Sequence, residues 1–557
     1  MANFLLNIIL ITIGIHVLKA IALTHSSHTA RNVLFFFGST KCDFCLTIPK
    51  ADDAGLESSV YNNSICKTPN LQTLAKRSVI FENAFTSVSS CSPSRAALLS
   101  GLPSHQNGMY GLHQTVHHFN SFDSVQSLPN VLGKNGIRTG IIGKKHVGPQ
   151  PVYEFDFSYT EDNYSINQIG RNITRIKDLV HLFLNDTDTR PFFLYIAFHD
   201  PHRCGHTSPQ FGNFCEKFGN GETGMGFIPD WKPIYYSPDE IQVPYYLPNS
   251  RPVREDISAQ YTTISRLDQG IGLILKTFES FGLLNNTLVI YSSDNGPPFP
   301  MGRTNLYDPG IREPLLISNP VKPQLWQSRV SDQVSLLDIM PTILDWFGIP
   351  LPQYKLFDKK VYYTGKSLLP FTNQVLFLHR EVYGSHNWHE LTMYYPMRSI
   401  RTDRYKLIHN VNHYSPYGID QDLYVSPSFQ YILNRTHHSL PIYWFKTLRQ
   451  YYYRQEYELF DLKYDSREAN NIYSHMKYNN LTKILKKKLK AWSALTGDPF
   501  VCSPHSVLED TGAYRSRPQC LPLFNRRRHR EYDTSQLKIL FILTQKPKLN
   551  LMLMAYN

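Results

Sequence analysis

Apolar runs of strand length recur along the first two thirds of the chain, and each gives way abruptly to polar residues. The runs span residues 33–37, 139–142, 192–198 and 287–292. Helical stretches separate them, such as residues 257–281. Continuous apolar strands separated by helices indicate a parallel sheet that is covered on both faces, so we predict an α/β fold.

The polar residues that follow these runs are chemically capable. They are residues 143–146, 199–202 and 294–296, and they include lysine, histidine, aspartate and asparagine. Ligands of such folds bind beyond the carboxyl ends of the strands. We therefore expect these side chains to converge on one rim of the sheet.

The pattern changes in the last third of the chain. Residues 334–350 predict a buried helix that closes the first domain, with Gly348 as its stop signal. Beyond residue 372 the segments are shorter and rich in tyrosine, and residues 397–409 and 457–462 predict strands of a smaller antiparallel sheet. A chain of 557 residues exceeds one compact core. We predict domains at 23–372 and 373–525, with the boundary between Pro370 and Val375.

Residues 1–22 have the layout of a secretory signal peptide. The apolar stretch 4–18 precedes Lys19 and the small-residue pattern Ala20-Ile21-Ala22, which predicts cleavage after Ala22. A membrane anchor is the alternative. The stretch is shorter than the roughly 20 residues that span a bilayer, so we expect no stable membrane anchor.

Passage through the secretory pathway agrees with seven Asn-x-Ser/Thr sequons in the chain. They are Asn62, Asn163, Asn172, Asn185, Asn285, Asn434 and Asn480.

The net charge of +12 raises the question of nucleic acid as a partner. Residues 526–557 carry +5 of this charge, from seven Lys/Arg against two acidic residues. The remaining +7 suits an acidic glycan equally well, and the sequence has no zinc-finger spacing, RNA-recognition signature or long basic stripe. We expect no nucleic-acid binding.

Eight cysteines in an oxidising compartment favour disulfide pairing. Cys42 and Cys45 have the spacing of a redox pair or of half a zinc site. No second ligand pair of suitable spacing follows, and we interpret the Cys42/Cys45 spacing as incidental.

One further cysteine opens the pentapeptide Cys-Ser-Pro-Ser-Arg at residues 91–95. Cys-x-Pro-x-Arg is the signal by which sulfatases have a cysteine oxidised to formylglycine during secretion. The hydrated aldehyde offers one hydroxyl to attack sulfur and a second to expel the sulfate later. Three fixed positions also arise by chance, and a single cysteine is often a core residue or half of a disulfide.

The surrounding chain resembles the sulfatase family, and within it the branch that removes N-linked sulfate from glycans. The likeness covers residues 30–37 and 51–525 and is carried by residues 83–113, 140–149, 198–206, 293–307, 395–400 and 458–471. It implies an alkaline-phosphatase-like fold, with a large mostly parallel sheet and a smaller C-terminal α+β domain. It also implies hydrolysis of the N-sulfate of terminal glucosamine residues in heparan sulfate.

The resemblance implies a calcium site, because the family surrounds sulfate with a cation that oxygen ligands hold. Its ligands would be Asp52, Asp53, Asp294, Asn295 and the formylglycine derived from Cys91.

The resemblance also implies catalytic roles. Arg95 would hold the formylglycine diol, Lys144 would contact sulfate and His146 would hydrogen-bond the diol. His202 would protonate the leaving group, since an amine leaves badly unless it is protonated. Arg303 would bind the sulfate of the substrate or its acidic neighbours.

Further expectations follow from the same resemblance. It pairs Cys204 with Cys215 and Cys502 with Cys520. It implies modification by the formylglycine-generating enzyme, a homodimer and a lysosomal location.

Two segments fall outside the resemblance. Residues 38–50 separate the run 33–37 from Ala51, where the family strand leads directly into the paired aspartates. These 13 residues are either a surface excursion, an insertion that disables the site, or a segment absent from the true protein such as a retained intron, which we favour. Residues 526–557 likewise lack a counterpart.

Two other functions stay open. One is an O-sulfatase that acts on another sulfated glycan. The other is a catalytically inactive secreted glycan-binding homologue, which the segment before Asp52 motivates.

Overall fold

The structure is a computed structural model that describes residues 45–522 except 165–168, 206–209, 370–380, 503 and 505. An eight-stranded sheet of order β4-β3-β5-β1-β6-β7-β2-β8 forms its centre. All strand pairs in it are parallel except β6/β7 and β2/β7. Its strands are β1 Cys45–Ala51, β2 Val79–Phe85, β3 Arg138–Gly143, β4 Phe157–Thr160, β5 Phe192–Ala197, β6 Thr287–Ser293, β7 Arg312–Ser318 and β8 Arg329–Ser335.

Helices cover both faces of this sheet, because the strands present apolar side chains on both sides. Leu46 and Ile48 of β1 pack with one set of helices, and Cys45 and Ala51 lie in the core on the other side. The first set is Cys91–Ser100, Leu128–Lys134 and Ile339–Trp346. The second set is Pro69–Ala75, Ile173–Leu184 and Arg251–Ser280. The predicted α/β class is confirmed.

A smaller antiparallel sheet follows, of order β11-β12-β13-β14. Its strands are β11 Val382–His386, β12 Met397–Arg401, β13 Tyr405–Asn410 and β14 Tyr457–Asp461. The helix Asn479–Leu495 covers one face through Leu485, Leu489 and Trp492. The other face shares a core with the large sheet, where Met397, Ile408 and Phe460 meet Phe85 and Tyr307.

The remaining elements are short. They include the pairs β9 Lys355–Leu356 with β10 Lys359–Lys360 and β15 Ser506–Glu509 with β16 Gln519–Pro522, and the α-helices Ser104–Asn107, Glu161–Tyr164, Asp308–Ile311, Gln421–Tyr424, Pro427–His437 and Leu448–Tyr452. Among the described helices, none combines the length and apolar character that a bilayer crossing requires.

The helix predicted over residues 334–350 is shorter than expected. β8 continues to Ser335, a 3-10 turn covers Leu336–Asp338, and the α-helix is Ile339–Trp346. Ser335 and Asp338 form a capping box, which ends the strand and begins the helical turn. Gly348 adopts a positive φ of 68° just beyond the helix, as its stop role requires.

The strand that leads into the paired aspartates comes from an unexpected segment. β1 is Cys45–Ala51, so residues 45–50 of the supposed excursion form a strand buried along its whole length. A surface excursion is therefore wrong for these residues. The physical reason is that the sheet needs a strand between β5 and β6, and Leu46 and Ile48 supply the apolar side chains that this slot requires.

Segment 45–50 fits this slot imperfectly. Pro49 has no N–H group for the ladder, although β1 is flanked by strands on both sides. The Thr47 hydroxyl and the Lys50 ammonium are buried and find no hydrogen-bond partner among the described residues. The predicted strand 33–37, the signal peptide, the proposed domain boundary and the tail 526–557 lie outside the described residues.

Candidate active site

The structure brings the predicted polar residues together at one edge of the large sheet. Asp52 and Asp53 follow β1, Lys144 and His146 follow β3, His202 follows β5, and Asp294 and Asn295 follow β6. These four strands are neighbours and mutually parallel. Their carboxyl ends therefore meet at the same rim.

Cys91 is the first residue of the helix Cys91–Ser100, whose residues are all buried. Its Sγ lies 3.7 Å from Asp53 Oδ1. Burial raises the pKa of the Cys91 thiol well above its usual range, and the neighbouring aspartates add to the rise while Lys144 opposes it. An unmodified thiol at this position is thus a poor nucleophile, because the thiolate is the reactive form.

Two buried cations hold the carboxylate of Asp52. Arg95 Nη2 lies 3.0 Å from Asp52 Oδ1, and Lys144 Nζ lies 2.6 Å from Asp52 Oδ2. Arg95 also donates to Asp294 Oδ2, at 2.9 Å from Nε. Because Arg95 lies on the helix Cys91–Ser100, it connects that helix to the carboxyl ends of β1 and β6.

The oxygen-rich side of the site fits a hard divalent cation. Asn295 Nδ2 donates to Asp53 Oδ1 at 2.6 Å, which leaves Asn295 Oδ1 buried without a partner among the described residues. Ligand atoms of Asp52, Cys91 and Asp294 all lie within 4.8 Å of one another. An orphaned amide oxygen beside clustered carboxylates is a donor set that suits calcium or magnesium.

Two histidines line the site. His202 Nδ1 donates to the Arg203 carbonyl at 2.8 Å, so Nε2 is the ring atom that would gain a proton. In this structure Nε2 accepts from Arg303 Nη1 at 3.1 Å and lies 3.6 Å from Asp53 Oδ2. Burial, together with Lys144, lowers the pKa of His202 against the opposing effect of Asp53. Burial and Lys144 also lower the pKa of His146, which adopts a positive φ of 55°.

Three carboxylates that sequence analysis does not single out complete the site. Glu161 accepts hydrogen bonds from the backbone N–H groups of Lys145 and His146, at 2.7 and 2.8 Å. Asp420 and Asp422 contact Arg303 from the C-terminal region. No motif marks these three carboxylates: Glu161 lies 15 residues beyond His146, and Asp420 and Asp422 lie 117 and 119 residues beyond Arg303.

The structure places the paired cysteines and the sequon asparagines. Cys204 is bonded to Cys215 and Cys502 to Cys520. Cys45 is also disulfide-bonded, and Cys42 lies outside the described residues, so our interpretation of the Cys42/Cys45 spacing as incidental stays a prediction. Six of the seven sequon asparagines are exposed, and Asn172 is half-buried and caps the helix Ile173–Leu184.

Comparison with known families identifies this arrangement. The sulfatase family model matches residues 50–349, more than half of the chain. The chain belongs to the sulfatase family. A second model, N-sulphoglucosamine sulphohydrolase, C-terminal, matches residues 302–428 of this sulfatase. The resemblance that the Cys91 pentapeptide indicated is thereby confirmed.

The curated relatives extend along most of this sulfatase. The human N-sulphoglucosamine sulphohydrolase is 58% identical over 476 residues, which cover 85% of this chain and 94% of the human protein. An ulvan-active sulfatase of Formosa agariphila is 26% identical, over 80% of this chain and 74% of that protein.

Solved structures support the sulfatase fold. A protein determined in complex with its substrate, D-glucosamine-2-N,6-O-disulfate, superposes with a TM-score of 0.57 at 20% identity. The match covers 82% of this chain and 98% of that one. The fold predicted from the resemblance is confirmed.

Proposed function

We propose that this protein hydrolyses the N-sulfate of terminal N-sulphoglucosamine residues in heparan sulfate. The observation that carries the proposal is the 58% identity with the human N-sulphoglucosamine sulphohydrolase, which extends over 94% of that protein. The cluster of Asp52, Asp53 and Asp294 around Cys91 supports it, because these are the groups that sulfate hydrolysis requires.

The chemistry of the reaction comes from two groups that the chain would hold. Formylglycine derived from Cys91 supplies a hydroxyl nucleophile, and calcium held by Asp52, Asp53, Asp294 and Asn295 supplies a Lewis acid that neutralises sulfate charge. The formylglycine-generating enzyme would modify Cys91 during secretion. A lysosomal location and a homodimer belong to the same proposal.

Other side chains of the protein would position the reacting groups and protonate the leaving amine. Arg95 and Lys144 fix the Asp52 carboxylate and present positive charge where sulfate enters. Glu161 fixes the backbone of His146, whose ring would hydrogen-bond the modified Cys91. These contacts reduce the reorganisation that catalysis requires.

His202 is the proposed acid for the leaving amine. Its Nδ1 donates to the Arg203 carbonyl and its Nε2 accepts from Arg303 Nη1, so Nε2 is the atom that would take up the proton when that contact opens. Because burial lowers the pKa of His202, an acidic compartment and the negative charge of bound sulfate would both favour the protonated ring. The side chain of His202 is 24% exposed, so part of its ring is accessible to substrate.

The test compares two substrates. Sulfate release from N-sulphoglucosamine should exceed release from 6-O-sulphated N-acetylglucosamine, with an acidic optimum. Preference for the 6-O-sulfate would support the O-sulfatase instead, and release from neither would support the inactive glycan-binding homologue.

A further inference from the structure

The serine before Cys91 does not cap the helix that Cys91 begins. Ser90 is the N-cap residue of the helix Cys91–Ser100, and its side chain accepts no hydrogen bond from the described residues of the first turn. A serine at this position usually accepts an N–H of the second or third helical residue. The third helical residue is Pro93, which has no N–H group. The N–H that the Ser90 hydroxyl could cap is therefore that of Ser92, the second residue.

The start of this helix carries backbone N–H groups without acceptors among the described residues. They belong to Cys91 and Ser92, whereas the Ser94 N–H donates to the Ser90 carbonyl at 2.8 Å. Cys91 and Ser92 are both buried. A buried N–H without a partner has a cost in free energy, and the start of a helix carries partial positive charge. These N–H groups therefore favour negative charge beside residue 91.

A histidine from the C-terminal region holds the Ser90 hydroxyl. His389 Nδ1 lies 2.8 Å from Ser90 Oγ. The other ring nitrogen, Nε2, lies 3.8 Å from Asp420 Oδ2. Burial, together with Arg303, lowers the pKa of His389 well below its usual range, so the ring is neutral. The nearby carboxylate favours the proton on Nε2, and Nδ1 then accepts the Ser90 O–H.

His389 has support of its own in the structure. Its carbonyl accepts the Leu112 N–H at 2.9 Å, and the neighbouring Trp388 N–H donates to the Tyr110 carbonyl at 3.0 Å. Gly111 lies between these two contacts, and a Cβ at this position would come within 2.9 Å of the His389 carbonyl oxygen. The backbone of His389 is thus anchored to residues 110–112 at close approach.

We propose that His389 is a positioning residue, which holds the Ser90 hydroxyl away from the first turn so that the N–H groups of Cys91 and Ser92 stay available to negative charge that develops beside residue 91. Without His389, the Ser90 hydroxyl would turn to the Ser92 N–H, as N-cap serines ordinarily do. That N–H would then be lost to the reacting group. The inference rests on the proposed function through its kinetic tests, whereas its structural test stands alone.

Loss of the ring nitrogens at position 389 should lower turnover. In His389→Leu, kcat on N-sulphoglucosamine should fall by about 100-fold, because removal of one N–H donor from an oxyanion site has about that cost. His389→Asn should retain part of kcat, since its amide can still hold the Ser90 hydroxyl. The fraction of formylglycine at residue 91 is measured in each variant by mass spectrometry, so that kcat refers to modified protein. Unchanged kcat in His389→Leu would overturn the proposal.

A second substitution separates positioning from a loss of packing. In Ser90→Ala/His389→Leu no hydroxyl is left to cap Ser92, so kcat should rise by about tenfold or more over that of His389→Leu. A role of His389 in packing or in direct contact with substrate predicts no such recovery, because Ser90→Ala only removes further contacts. A double variant that is no faster than His389→Leu would refute positioning.

His409→Leu is the matched control. His409 is a half-buried histidine of β13, and its ring stacks on Tyr457 with centroids 4.4 Å apart. This substitution should leave kcat and the formylglycine fraction unchanged. An equal fall of kcat in His409→Leu and His389→Leu would overturn the proposal, because the fall would then not depend on Ser90.

A crystal structure of His389→Leu tests the same idea without turnover. Ser90 Oγ should lie about 3 Å from the Ser92 nitrogen. A Ser90 hydroxyl that still lies away from the helix would overturn the proposal. If His389→Leu fails to fold, His389→Phe replaces it, because phenylalanine also lacks a ring nitrogen. Absence of sulfamate hydrolysis by the unsubstituted protein would refute the proposed function and leave this structural test readable.

Discussion

Lys50 and Asp294 are both fully buried. The ammonium of Lys50 attracts the carboxylate of Asp294 electrostatically, without a hydrogen bond between them. Burial lowers the pKa of Lys50 to about 7, although Asp294 opposes the shift. Lys50 adds positive charge to a site where Arg95 and Lys144 already pair with the carboxylates. The segment that supplies β1 therefore introduces a cation beside the proposed metal ligands.

Replacing Lys50 by methionine should stabilise the protein in acid. A folded pKa of about 7 lies below the usual value of 10.5, so the penalty of the buried charge grows as pH falls from 10.5 through 7 and is complete at lower pH. The substitution should raise the free energy of unfolding by a few kcal/mol, which is about 5 °C in Tm at pH 5, and the gain should be smaller at pH 9. Exposed Lys76→Met is the control. A destabilised Lys50→Met protein at pH 5 would contradict this prediction.

Deleting residues 38–50 should raise calcium binding, sulfamate hydrolysis and Tm together. The deletion joins the apolar run 33–37 to Ala51 and removes Pro49 and Lys50 from the strand position. Calcium affinity depends on ligand charge and geometry, so removal of a competing cation should strengthen it. Both proteins are compared by Tm with and without calcium and by sulfate release. Equal Tm values and equal sulfate release in the two proteins would show that β1 Cys45–Ala51 positions the site residues as well as the shortened chain does.

His202→Ala should slow hydrolysis most for substrates with poor leaving groups. Hydrolysis of N-sulphoglucosamine should fall by about 100-fold or more, because general acid catalysis contributes that much. Hydrolysis of an activated aryl sulfate, whose leaving group needs little protonation, should fall by less than about tenfold. Rates on both substrates are measured in one buffer. Equal losses would exclude His202 as the acid.

His105 should make the fold sensitive to acid. Burial lowers the pKa of His105 to about 4, and its ring bridges Ser385 and Thr496 at 2.7 and 2.8 Å. The folded pKa lies below the ordinary 6.5, so the stability that neutral His105 contributes is present above 6.5 and is lost as pH falls through 4. The loss should reach about 3 kcal/mol at pH 4.

His105→Gln should flatten this pH dependence, because glutamine keeps a hydrogen-bonding side chain and does not titrate. The measurement is the difference in Tm between pH 6.5 and pH 4, with exposed His437→Gln as the control. An identical difference in the two variants would show that His105 is not the sensitive group.

The strands that carry the site were predictable, because their apolar runs end where the chemistry begins. β3, β5 and β6 begin and end within about two residues of the predicted runs. Such strands are buried on both faces, so a continuous apolar run is their direct signature. The pentapeptide at Cys91 marks the candidate nucleophile, and the polar residues beside these strand ends are the candidate metal ligands.

The parts of the fold and site that the sequence pattern did not predict depend on contacts between segments distant along the chain. Asp420 meets Arg303 across a separation of 117 residues, and no local pattern marks either partner. β1 was missed for a different reason. Its Pro49 and Lys50 are poor strand residues, and only the vacancy between β5 and β6 makes this segment a strand.

Cys91 is the proposed precursor of the nucleophile in this proposed N-sulfate hydrolase. The most direct measurement is mass spectrometry of the tryptic peptide that contains Cys91, from active protein made in a eukaryotic secretory host, together with the activity of folded Cys91→Ser. We predict formylglycine at position 91 in the active protein and no sulfate release from N-sulphoglucosamine by Cys91→Ser. Active protein that carries only unmodified cysteine at position 91 would exclude formylglycine as the nucleophile.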